Sequence, residues 1–157
     1  MTTRINLPEH LREYLYGKYC ELDQSLPVSF PAGDDLYCTL YDLMDKRPSE
    51  CPIDRGNVEL HLPKREVGKN PRTYNYLSER SQRVLAKRIE TKMWAELHDL
   101  LDEQKHRYGV NFIDGIVTFM NRYGIHSLSE DAFLKNYYRW RERVRMKQKK
   151  RDYRRKC

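Results

Sequence analysis

Along most of this chain the hydrophobic positions recur three and four residues apart, the spacing of a helix with one buried side. In "PEHLREYLYGKYCEL", Leu11, Leu15 and Leu22 with Tyr14 give an apolar side behind Pro8, which suits a helix's first turn, and Gly17 weakens the end. In "DDLYCTLYDLMD", Leu36, Leu40 and Leu43 lie beside Tyr37, Tyr41 and Met44, with Asp34 or Asp35 available as the cap. The longest pattern predicts a helix over about 76–108. Its stripe is Leu77, Val84, Leu85, Ile89, Met93, Leu97, Leu100 and Leu101, and Gly109 is placed to end it. A shorter helix is expected over about 111–123, with Phe112, Ile116, Phe119, Met120 and Tyr123 apolar and Gly124 as its stop. The last helix is expected over about 129–147. Phe133, Tyr137, Trp140 and Val144 face inward there, and the cap is Ser127, at capping-box spacing from Glu130, or Ser129. The period drops to two only at "NVELHLP", where Val58, Leu60 and Leu62 predict a half-buried strand over about 57–62. Its one evident partner is the extended piece 4–7. The pattern therefore predicts a mainly helical α+β domain over 4–146, followed by a basic C-terminal tail, 147–157.

Charge changes this picture from a plain bundle to one with a polarised end. Residues 1–63 hold 6 basic and 11 acidic residues, residues 64–136 hold 13 and 10, and residues 137–157 hold 11 and 2. The formal net charge of +7 is therefore local to the C-terminus. A local cationic block implies a polyanionic partner. Arginine dominates its first half, and a guanidinium can bond phosphate or guanine through two N–H groups at once. Phosphate contacts are expected from Arg139, Arg141, Arg143, Arg145, Lys147, Lys149, Lys150, Arg151, Arg154 and Arg155. A second basic stretch, "KREVGKNPR", offers Lys64, Arg65, Lys69 and Arg72 just before the long helix, where free N–H groups can receive a phosphate.

The run "FMNRYGIHSLSEDAFLKNYYRWR", within residues 112–145, resembles the helix-turn-helix of DNA-binding proteins: a helix, a glycine, an apolar residue, then a second amphipathic helix. Phe119, Tyr123, Ile125 and Phe133 stand where such a unit places core residues. Met120 replaces the usual small residue and Glu130 the usual apolar one. The resemblance implies that the last helix is the reader, with Lys135, Asn136, Arg139 and Arg143 toward the groove.

Other chemistry finds little support. "GK" at Gly68 lacks the spacing of a phosphate-binding P-loop, and no G-x-S-x-G or Cys–His dyad is present. Glu103 and His106 form a single E-x-x-H, and His98, Asp102 and His106 share a face, but a bundle metal site needs that unit twice with further carboxylates. Asp54, Glu59 and Lys64 miss the spacing of a metal-dependent nuclease. No metal or cofactor is expected. Cys20, Cys38, Cys51 and Cys157 lack paired spacing; reduced thiols are expected, with the first three as small core residues and Cys157 in a flexible tail. Tyr74, Tyr76, Tyr137 and Tyr138 lie among cations and could stack on bases, although core packing is the commoner use. No apolar run is long enough to span a membrane, and no signal core is seen, so the cytoplasm is the expected compartment.

The expected function is non-enzymatic nucleic-acid binding, DNA ahead of RNA, of the kind an accessory or regulatory protein of a mobile genetic element performs. The rival from another class is an assembly subunit. Its basic helix would dock an acidic protein surface, and the helix 76–108 would serve as the seam of a homodimer.

Overall fold

The computed structural model describes residues 1–156, in the order β1 (Thr2–Ile5), α1 (Glu9–Tyr19), α2 (Asp35–Leu43), β2 (Val58–His61), α3 (Glu79–Tyr108), α4 (Phe112–Tyr123) and α5 (Glu130–Lys156). Cys157 lies outside the described residues. This is a mainly helical α+β chain with one small sheet. The expected strand pair forms: β1 runs antiparallel to β2 with Thr3 opposite Leu60 and Ile5 opposite Val58. Its first strand sits two residues earlier than the reading of 4–7, because Ile5 and Thr3 alternate inward while Leu7 packs beyond the strand's end. Val28 adds a short parallel bridge along the other edge of β2.

The helices pack on this sheet through one core. Ile5, Leu15, Leu36, Leu40, Val58 and Leu60 are fully buried from the sheet side, and Leu85, Ile89, Met93, Leu97 and Ile116 from α3 and α4. The apolar face of α3 is thus filled by the chain's own core, so the stripe expected as a dimer seam is covered from within. Val84, read as part of that stripe, is exposed instead. α1 and α4 touch at Gly17, where an added Cβ would lie 2.3 Å from the carbonyl oxygen of Tyr123. The glycine that weakens α1 is what lets the two backbones meet.

Caps fall largely where local chemistry put them. Asp34 accepts from Leu36 N–H at 2.9 Å, and Gly109 and Gly124 end α3 and α4 in the left-handed conformation. α3 begins at Glu79 rather than near 76, because Tyr76 is drawn into a backbone bridge with Asp45 and Ser78 takes the cap. Of the cysteines, Cys20 is buried, Cys51 half-buried and Cys38 exposed, so only the first is a core residue. No described helix is long and apolar enough to cross a membrane.

Candidate nucleic-acid interface

α5 starts firmly. Ser129, not Ser127, caps it, accepting from Ala132 N–H, while Ser127 and the backbone N–H of His126 donate to Glu13 on α1. The connection from α4 runs from Gly124 to Ser129, longer than the turn of about three or four residues in a helix-turn-helix. Phe133 and Tyr137 are fully buried, with Phe133 against Trp94 and Phe119 and Tyr137 against Phe112. The Tyr137 hydroxyl donates to Asp102. Burial and that bond, together with the carboxylate's charge, push the Tyr137 pKa above its usual value. Trp140 is half-buried and stacks on His98, ring centroids 4.4 Å apart. Val144, expected to complete this face, is exposed, because no element stands opposite it.

Beyond Trp140 the helix leaves the body but does not end. The residues expected as a tail, 147–157, continue α5 through Lys156, a helix of 27 residues and about 40 Å. The three-and-four spacing also continues. Phe133, Tyr137, Trp140 and Val144 are followed on the same face by Lys147, Arg151 and Arg154. The side of α5 that is core along its first half is cation along its second. Arg145, Lys147, Lys149, Lys150, Arg151, Arg154 and Arg155 are exposed and make no ion pair or side-chain hydrogen bond among the described residues. Arg141 lies over the rings of Phe112 and Tyr137, and Arg143 reaches only the carbonyl of Arg139.

The other expected site residues separate. Lys135 is exposed and paired with Asp131 on its own helix. Asn136 is half-buried, its Oδ1 2.8 Å from His98 Nε2, so the amide oxygen is engaged with α3. In the loop 64–72, Lys69 is committed elsewhere: its ammonium donates to the carbonyls of Tyr41, Asp42 and Met44, closing the C-terminus of α2. Arg65 lies 4.2 Å above the Tyr41 ring. Lys64 and Arg72 remain exposed. This loop is not at the start of α3; residues 73–78 intervene, and no described hydrogen bond or ion pair joins it to α5.

The arrangement also holds a feature that the sequence reading missed. Between α3 and α5 lies a cleft of about 430 Å³ whose wall is a stair of three rings, Trp94, His98 and Trp140. Burial lowers the His98 pKa, and Arg143 adds to this; the bond to Asn136 and the nearby Asp102 and Asp99 oppose it. Trp94 and His98 stand four residues apart, a spacing that marks one helix face, but Trp140 joins them only through the fold. Neither a family model nor a curated protein nor a solved structure matches the chain.

Proposed function

We propose that this chain binds nucleic acid without catalysis, DNA in the first place, by laying the free half of α5 along phosphates. One observation carries the reading. Elsewhere the chain pairs its buried-side cations with care: Lys18 with Glu96, Arg47 with Asp54, and Lys92 with both Asp34 and Asp35. Along the outer half of α5 it makes no ion pair among the described residues. A helix segment of that length without tertiary contacts is marginal in water, and like charges three and four residues apart weaken it further. Cations kept this way are complementary to a polyanion, which would relieve their repulsion on binding. An α-helix also fits the major groove of duplex DNA, about 12 Å wide.

The rival, an acidic protein surface such as the N-terminal half of another copy, fits less well. Much of that half's negative charge is already engaged: Glu9 with Arg12, Glu13 with Ser127, Asp34 and Asp35 with Lys92, Asp54 with Arg47, Glu59 with Arg4. The test is a salt series with mixed-sequence duplex. The logarithm of the binding constant should fall linearly with the logarithm of salt, by about 0.9 for each phosphate neutralised. Engagement of half the cations gives a slope of about −4 to −5. Absence of binding at low salt would defeat the proposal and favour the assembly reading.

A further inference from the structure

We infer that the cleft between α3 and α5 is a slot for an unpaired nucleobase, stacked on Trp94 or Trp140, from a strand whose phosphates lie on α5. The inference rests on the nucleic-acid reading and adds to it what the cations alone cannot supply, a site for the base itself. Both tryptophans are half-buried and line the cleft, so ring surface stays open there. His98 holds them in order: its ring is within 23° of parallel to Trp94 and within 18° of Trp140. His98 is itself fixed by the bond to Asn136, so the stair is set before any ligand arrives. A fourth flat ring can continue such a stack, and base–aromatic stacking is tolerant of base identity because every base has a π-face.

The cleft itself is not an anion site. Lys87 at its rim is paired with Glu90, and the charges of Asp99 and Arg143, both lining residues, offset each other. Phosphate attraction comes from next door. A groove of about 750 Å³ along α5, lined by Arg139, Lys147 and Lys150 with Met146 and one acidic residue, Glu142, shares Asn136 and Arg143 with the cleft. A strand following those cations therefore reaches the aromatic wall without a gap. The near-neutral rim suits a base rather than another phosphate, and the Asp99 carboxylate is an acceptor that can meet an exocyclic amino group.

The chain's two tryptophans are both in this cleft, so its intrinsic fluorescence reports occupancy directly. The full chain is titrated with oligothymidylate, with an abasic deoxyribose-phosphate oligomer of equal length, and with a blunt duplex. The expected result is quenching by oligothymidylate and affinity about tenfold above the abasic oligomer, with similar salt slopes for the two. Trp94→Ala or Trp140→Ala, whichever removes the ring that carries the base, should abolish that difference and the matching Phe variant should keep most of it, with thermal melts to verify folding; a difference that survives both alanine variants would overturn the slot. The comparison on the unaltered protein stands even if Trp94→Ala fails to fold. Equal affinity for the abasic and thymidylate oligomers, or equal quenching by the duplex, would overturn the slot while leaving phosphate binding in place. No binding of any of the three at low salt would overturn both.

Discussion

The two halves of α5 share one helix and one periodicity, yet differ in everything that makes a helix stable. From Glu130 to Trp140 the repeat carries Phe133, Tyr137 and Trp140 into a core of aromatic rings. From Arg141 to Lys156 the same repeat carries Lys147, Arg151 and Arg154 into solvent. The inner half is held by packing and by a hydrogen bond to Asp102; the outer half, once Arg141 has crossed the rings of Phe112 and Tyr137, is held by its backbone ladder. Cations near a helix C-terminus gain a little from its dipole, about 0.3–1 kcal/mol each, but they repel one another at neighbouring turns. Under the function proposed above, the composition of this second half is explained by a polyanion that supplies the negative charge.

The sharpest way to break the comparison is through the core. Phe133→Ala removes a fully buried ring that meets Trp94 and Phe119, and should cost about 3–5 kcal/mol of stability by denaturant unfolding. Tyr137→Phe keeps the ring and loses only the bond to Asp102, so about 1 kcal/mol is expected, with the carboxylate left without its donor adding to that cost. A loss below about 1 kcal/mol for Phe133→Ala would mean that the inner half is not packed.

Removing the outer half should do the opposite. Ending the chain after Met146 takes away seven of the eleven cations of residues 137–157 and no buried side chain. Stability should change by about 0.5 kcal/mol or less, while the salt slope for duplex binding collapses. A milder version, Lys147, Lys150 and Arg151 all changed to Gln, should flatten the slope by about 2–3 and weaken every sequence alike. Amide hydrogen exchange gives a third view. Amides beyond about residue 144 should exchange quickly in the free protein and slow when DNA is added, while those around Tyr137 stay protected in both. Equal protection of both halves in the free protein would show a contact that the outer half does not have here.

How much of this was legible beforehand follows the range of the forces involved. The alternation of β2, the Asp34 cap and the glycine ends of α3 and α4 are signalled by residues within a turn or two of one another, and the strand pair followed because the chain's first residues were the one evident partner for β2. The basic face of α5 was equally plain, since it is a matter of composition and spacing. Its length was not: a run of Lys and Arg resembles a solvated tail, although both residues favour helix nearly as well as leucine. What stayed hidden depends on distant partners. Asn136 looked like a groove contact until His98, 38 positions away, took its side chain. Lys69 looked like a phosphate ligand until the carbonyls ending α2, at least 25 positions away, claimed its ammonium. The aromatic cleft needs α3 and α5 side by side, which no local pattern announces.

The smallest expected effect separates the two halves by pH. His98 is held neutral in the fold, chiefly by burial, so its pKa lies below the ordinary 6.5 despite Asn136, Asp102 and Asp99 pulling the other way. As pH falls through about 6.5 the unfolded chain takes up a proton at this position and the folded chain does not. Stability is therefore full above that pH, declines below it, and stops declining for this residue once the folded pKa is passed. His10, also lowered by burial against the pull of Glu90 and Glu13, acts in the same direction. Denaturant unfolding between about pH 7 and pH 5 should show this decline in the unaltered protein, and a shallower one in His98→Gln, where His10 still contributes. The outer half of α5 carries lysine and arginine alone as its cations, and these keep their charge across that range. The salt slope for duplex binding should then be the same at both ends of the window, even as the fold weakens. A slope that steepens toward pH 5 would mean that a histidine joins the phosphate contacts, and that the cationic half of α5 does not act alone.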